Sequence, residues 1–273
     1  MLGAVVGDVI GSLYEVNNIK EKDFSLFSNQ SRYTDDSVMS CAIAKSCINY
    51  YNKKDIEKFR KDVVKNMREL GRLHINAGYG GTFIKWLLTK NPIPYNSWGN
   101  GSAMRVSPVA WVSDSIEECE QLAEASSIVS HNHPEGIKGA KAIASAVFMA
   151  NNGFDKESIK EYIEEKYYDL NFNLDDIRDE YKFDVSCQGS VPQAIKAFLE
   201  GNDFEDVVRC AISIGGDSDT IAAMAASIAE AYYGIPNDIA DKTNKYLSSD
   251  LKQILSDFDS LRVESKKKNF KKR

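Results

Sequence analysis

Two short stretches of this 273-residue chain concentrate acidic side chains beside hydroxyls. "YTDDSVMSCAIA" places Thr34, Asp35 and Asp36 ahead of an apolar run, and "SIGGDSDTIAAMAAS" places Asp217, Asp219 and Thr220 ahead of an alanine-rich one. Neighbouring residues in a helix point about 100° apart, so they cannot share a target from its middle. From a loop or a helix N-terminus they can. Two such N-termini facing each other would put four carboxylates and two threonine hydroxyls in one small volume. Like charges that close repel unless something neutralises them. Hard divalent cations with oxygen ligands, Mg²⁺ or Mn²⁺, suit that task. The same residue types are also ordinary helix N-caps. Spacing alone leaves open whether the two clusters meet.

Other polar stretches carry two readings each. "GAVVGDVIGSLYE" sets Gly3, Gly7 and Gly11 on one helix face, where another helix could approach closely. Asp8 lies inside that helix and reads either as a structural hydrogen-bond acceptor or as a catalytic carboxylate. Glu15 sits at the exit from helix to loop. "NAGYGG" (76–81) and "SWGNGSAMRVSP" (97–108) are either ordinary turns or loops that offer backbone N–H groups to phosphate oxygens. Neither is a Walker A sequence or a dinucleotide fingerprint. Arg105 fits a phosphate or a structural carboxylate. In "SHNHPEGIKGA", His131 reads as a helix-entry polar group or as a contact to a sugar or phosphate. No Ser–His–Asp nucleophile pattern is evident.

Helices must position these groups. "DDSVMSCAIAKSCINYY", "DIEKFRKDVVKNMRELGRL", "SIEECEQLAEASSIVS", "PEGIKGAKAIASAVFMA", "DKESIKEYIEEKYYDL", "SVPQAIKAFLEG", "DFEDVVRCAISIGG" and "DTIAAMAASIAEAYYG" all show helical periodicity. Many open on Ser, Asp or Pro and close on Gly or Asn; the second stops at Gly71. Strand-like alternation is nearly absent. The expectation is a compact all-α, multi-helix bundle forming a single domain over residues 1–262, with a basic, mobile tail at 263–273. Helices rich in Ala, Gly and Ser belong to its inner layer.

Composition excludes several classes. No apolar run approaches the ~20 residues of a membrane helix. The N-terminal stretch lacks a basic leader and contains Asp8, so it does not read as a signal peptide. The five cysteines form no CxxC pair and there are three histidines, which argues against a Cys/His zinc site and for free thiols in the cytoplasm. Net charge is −6 although "KKKNFKKR" alone holds six basic residues. A body that acidic is a poor general binder of nucleic acid.

Six stretches in order along residues 1–236 resemble one family. They are "GAVVGDVIGSLYE", "YTDDSVM", "GYGG", "GNGSAMRVSPVA", "SHNHPEGIKGA" and "GGDSDTIAAM…AYYG". The family is that of the ADP-ribosylglycohydrolases. The resemblance implies a compact all-α fold with two Mg²⁺ or Mn²⁺ ions at the bottom of a cleft. It implies Thr34, Asp35, Asp36, Asp217, Asp219 and Thr220 as metal ligands. Glu15 matches a glutamate on a mobile loop; it, Asp35 and Asp36 are the candidates for moving a proton. Gly78, Gly80 and Gly81 match a loop near the diphosphate. Gly99, Asn100, Gly101, Ser102 and Met104 match the loop that wraps ADP-ribose, and His131 matches a histidine of the same pocket. Tyr79, Tyr95 and Trp98 are candidates to stack on a base.

The implied reaction is hydrolysis of the C1″ linkage between ADP-ribose and an acceptor, either a protein or a small conjugate, by a cytoplasmic monomer. The competing readings are a non-catalytic ADP-ribose binder, a hydrolase of small conjugates such as O-acetyl-ADP-ribose, and a phosphohydrolase that cuts the diphosphate. Two departures from the family pattern stand out. Ser37 replaces the last threonine of "TDDT", and Ala226 and Glu230 stand where many relatives carry a glycine pair.

Overall fold

The structure is a computed structural model that describes residues 1–270, with side chains described as far as Leu261. The expected basic tail, residues 263–273, lies outside the residues whose side chains are described. In chain order the helices are α1 (Leu2–Gly11), α2 (Asp35–Lys53), α3 (Ile56–Leu73), α4 (Gly81–Leu88), α5 (Gly101–Met104), α6 (Pro108–Val112), α7 (Ile116–Ser127) and α8 (Pro134–Asn151). There follow α9 (Lys156–Lys166), α10 (Leu174–Ile177), α11 (Cys187–Glu200), α12 (Phe204–Ser213), α13 (Ser218–Tyr233), α14 (Asn237–Asn244) and α15 (Ser249–Phe270). The fold is all-α. Strand pairing among the described residues is limited to one antiparallel bridge, Gly99 to Ser186. None of the described helices is long and apolar enough to cross a membrane.

Local chemistry starts many of these helices. Side chains of Asp55, Ser115, Asp155, Ser186 and Asp203 each accept a hydrogen bond from a backbone N–H of the first turn. His133 does the same for α8, with Pro134 as first helical residue. Several boundaries differ from the sequence expectation, two of them for a visible reason. The helix expected over "SVPQAIKAFLEG" begins earlier, at Cys187, because Ser186 Oγ accepts from Gly189 N at 3.1 Å and nucleates a turn ahead of Pro192. Helix α3 does not stop at Gly71 but runs to Leu73. A Cβ at Gly71 would lie 2.8 Å from the δ-methyls of Leu87, so this glycine admits α4 rather than ending α3.

Helix α13 is the axis of the molecule. Every residue from Ser218 to Glu230 is buried, and α1, α8, α11 and α12 pack around it. Its small side chains let those neighbours close in. The glycine face of α1 makes the tightest approach. A Cβ on Gly3, Gly7 or Gly11 would lie 2.3 Å from Ala226 O, 2.2 Å from Ala222 O and 2.4 Å from Asp219 Cα. Glu230, at the far end of α13, accepts a hydrogen bond from Gly3 N at 2.8 Å. A carboxylate thus meets the N-terminal turn of α1, where the helix dipole favours negative charge.

This packing has a testable consequence. Alanine is a better helix former than glycine by about 1 kcal/mol, yet overpacking costs about 1–3 kcal/mol, and backbone cannot step aside as a side chain can. Gly7→Ala is expected to destabilise the protein in thermal or urea unfolding. A rise in melting temperature would show that the two backbones are not in contact.

Candidate metal centre and cleft

Three helix ends and one loop converge at the α1–α13 contact. Asp8 comes from the last turns of α1, and Glu15 from the segment after it. Thr34, Asp35 and Asp36 open α2. Asp217, Asp219 and Thr220 open α13. The two acidic clusters touch: Thr220 Oγ1 donates to Asp36 Oδ2 at 3.2 Å across 184 positions of sequence. Carboxylate oxygens of Asp8, Asp36 and Asp219 lie within 4.8 Å of one another, and so do those of Glu15, Asp217 and Asp219. Asp219 belongs to both groups.

Capping accounts for only part of this. Thr34 is a true N-cap and accepts from Asp36 N. Its hydroxyl also lies 2.7 Å from Asp8 Oδ1 and 3.3 Å from Asp36 Oδ2. Asp217 occupies the N-cap position of α13 but makes no capping bond. Its carboxylate instead accepts from Asn100 Nδ2 at 2.7 Å. Asp8 is held by Thr34 N at 2.9 Å, Ser37 N at 3.0 Å and the hydroxyls of both residues. That explains why a hydroxyl is retained at position 37. Asp8 is therefore a structural acceptor and a member of the carboxylate group at once.

Burial penalises every charge here. It pushes the carboxyls of Asp8, Asp36 and Asp219 up; Asp8 and Asp35 raise Asp36 further, as Asp36 and Asp217 do Asp219. The Asp35 carboxyl is pushed up to about 7, first by burial and then by Asp8. Glu15 and Asp217 are raised by burial as well, Asp217 against the hydrogen bond from Asn100. Asp36 Oδ1 is buried with no hydrogen-bond partner among the described residues. An orphaned buried carboxylate oxygen amid unneutralised carboxylates is what a hard cation would satisfy. The donor set is all oxygen, which suits Mg²⁺ or Mn²⁺ and not a thiolate metal site.

A cleft of about 610 Å³ opens above these residues. Of the expected substrate-binding residues, Gly78, Gly80, Gly81, Gly99, Asn100, Gly101, Met104 and His131 line it. Ser102 does not. It is buried beneath the loop, where its hydroxyl donates to Gly136 O at 2.7 Å. Tyr79 does not line it either, and packs against Phe83 with ring centroids 5.6 Å apart. Tyr95 and Trp98 do line it. Gly78 has φ +106°, and its missing Cβ would lie 3.5 Å from Asp35 Oδ1. Asp35 N donates to Ala77 O at 2.8 Å, which ties this loop to the start of α2.

Part of the wall carries no motif. Phe183 and Val185 line the cleft from a segment that pairs with the second glycine loop. Asn100 N donates to Val185 O at 2.8 Å, and Cys187 N to Trp98 O at 2.9 Å. The only trace in sequence is the short alternation of "KFDVS". Asn18 clasps the Glu15 segment to the other side. Its Nδ2 donates to Gly216 O at 3.0 Å and its Oδ1 accepts from Gly216 N at 2.7 Å. Lys20 Nζ adds bonds to the carbonyls of Arg178, Tyr181 and Ile214.

A family profile described as ADP-ribosylglycohydrolase matches residues 1–268. The chain belongs to the ADP-ribosylglycohydrolase family. Similar proteins include the ADP-ribosylhydrolase ARH3 of Homo sapiens, 26% identical, with 86% of this chain and 84% of that one covered. The ADP-ribosylarginine hydrolase Tri1 of Pseudomonas putida is 25% identical, over 86% of this chain and 70% of that one. A solved structure described as an ADP-ribosylglycohydrolase-related protein complex shares the fold. Its TM-score is 0.64 at 21% identity, with 94% of this chain and 93% of that one covered.

The raised Asp35 carboxyl sets a pH dependence for the cation-free protein. In the unfolded chain Asp titrates near about 3.9; in the fold its value is about 7. Below the unfolded value both states bind the proton and the full stability is present. As pH rises towards 7, the folded state must hold a proton or bear a buried charge, so stability is lost. Without cation, Asp35→Asn should therefore gain stability over wild type progressively from about pH 4 to 7. A difference in melting temperature that stays flat with pH would refute this. At saturating Mg²⁺ or Mn²⁺ the wild type should recover by about 2–3 kcal/mol at a hundredfold excess over Kd.

Proposed function

We propose that this protein is a divalent-cation-dependent hydrolase that frees ADP-ribose from an acceptor by breaking the C1″ glycosidic bond. The observation that carries this reading is the Thr220–Asp36 contact. It joins two clusters distant in sequence into one acidic floor beneath glycine-lined walls. Family membership and the names of the human and Pseudomonas relatives point to the substrate class. The acceptor is an ADP-ribosylated protein or a small ADP-ribose conjugate.

Thr34, Asp35, Asp36, Asp217, Asp219 and Thr220, with Asp8 and Glu15 beside them, would hold two cations, Mg²⁺ or Mn²⁺. Such ions supply positive charge that organises the ribose hydroxyls and acidifies water. The chain's own residues do the rest. The loops at Gly78–Gly81 and Gly99–Gly101 offer backbone N–H groups to the diphosphate. Asn100 holds the Asp217 carboxylate in place. Trp98, about half exposed at the mouth, presents a ring face to a base. Glu15, like Asp35, is a partly exposed carboxylate of the floor, and burial and the charge of Asp217 raise its proton affinity. A carboxyl so placed can exchange a proton with solvent and pass it to or from the scissile bond. The surrounding carboxylates stabilise the oxocarbenium-like charge that develops at C1″.

The test is an activity panel with Mg²⁺ or Mn²⁺ over arginine-linked, serine-linked and O-acetyl ADP-ribose substrates, read by mass spectrometry. Intact ADP-ribose is the expected product. AMP would instead mean diphosphate cleavage, and binding without turnover would mean a non-catalytic binder. Asp219→Asn should lower turnover by at least about a hundredfold with its helical circular dichroism intact. Wild-type activity in that variant would end the metal-centre reading.

A further inference from the structure

Arg105 is buried at the C-terminal end of α5, with 1% of its surface exposed. Its guanidinium donates to Gly101 O at 2.8 Å, to Ser126 O at 3.1 Å and to Ser130 Oγ at 3.0 Å. Ser130 is fully buried and its Oγ lies 2.8 Å from His131 Nδ1. An arginine only donates, so Ser130 Oγ must accept on that side. The one serine proton then has a single acceptor among the described residues, His131 Nδ1. An Nδ1–H tautomer would leave that buried hydroxyl proton without a partner, a costly state for a buried donor.

We propose that Arg105 and Ser130 are positioning residues that lock His131 as a neutral imidazole with its proton on Nε2. The groups facing the ring are the Arg105 guanidinium and Tyr95, whose ring centroid is 5.7 Å away. Burial and the Arg105 charge hold the His131 imidazole well below the usual histidine range, which excludes the imidazolium. Nε2 points at the second glycine loop. It lies 3.1 Å from the place of a Cβ on Gly101 and 3.6 Å from that on Gly99. The side chain therefore offers the cleft a fixed N–H donor, and the ligand group seated against Gly99 and Gly101 is a hydrogen-bond acceptor. This deepens the proposed function by naming what orients one wall of the same cleft, but the tautomer does not depend on that function.

The test uses full-length protein with ¹⁵N-labelled histidine rings and no ligand, by two-bond proton–nitrogen correlation. His74→Gln and His133→Gln assign the three histidines. His131 is expected to show an unprotonated Nδ1 and a protonated Nε2, unchanged from about pH 5 to 8, where a free imidazole would titrate. Ser130→Ala should yield a mixture of tautomers with unchanged circular dichroism, and Ser130→Thr should restore the single form. A protonated Nδ1 in the wild type, titration inside that range, or a Ser130→Ala spectrum like wild type would overturn the proposal. Because the readout needs no substrate, it can succeed where the activity panel fails, and the reverse.

Discussion

Carboxylates withdrawn from water repel one another, and the fold gathers six of them in one place, four buried and two half-buried. Asp8, Glu15, Asp35, Asp36, Asp217 and Asp219 all have their proton affinity raised, with burial as the largest cause. A surface cluster would relax by moving apart. This one cannot, because every carboxylate but Glu15 is anchored at a helix end, and α1 and α13 are packed backbone to backbone. The α1 glycine face is what permits that contact. Gly11 abuts Asp219 itself, so the close contact of the two helices extends to the acidic cluster.

The geometry also separates two roles that residue type confuses. Asp and Thr at a helix start are caps by habit. Thr34 caps α2, whereas Asp217 leaves its own helix uncapped and turns to Asn100. A freed carboxylate aimed into a cleft costs the helix a stabilising bond of about 1 kcal/mol. That cost makes sense where the carboxylate has another ligand. Asp36 shows the same surplus: one oxygen meets Thr34 and Thr220, and the other has no hydrogen-bond partner among the described residues.

Loops complete the cleft by holding one another. The first glycine loop is tied to Asp35 through Ala77, the second to the 183–187 segment through the Gly99–Ser186 bridge, and the Glu15 segment to Gly216 through Asn18. Each tie joins a wall of the cleft to an element that also carries, or directly precedes, an acidic residue or a helix start. The walls and the floor are therefore one hydrogen-bonded unit.

The sequence by itself marked the helices α1–α3, α7–α9 and α11–α13, many of their caps and the family, but not α15 or the shorter helices. Periodicity and capping are short-range effects, readable within about four residues, and the six ordered motifs are specific. It also singled out Gly3, Gly7 and Gly11 as a contact face, though not its partner. Local signals misled where a residue served a distant neighbour. Gly71 looked like a stop and instead admits Leu87, and Ser102 looked like part of a binding loop and instead braces it from below. Only the tertiary structure decided that Asp36 and Thr220 touch, that Asp8 joins the carboxylates, and that Phe183 and Val185 form part of the wall. Those facts depend on packing between segments distant in sequence, as the 184 positions between Asp36 and Thr220 show. No local preference of the chain encodes such distances.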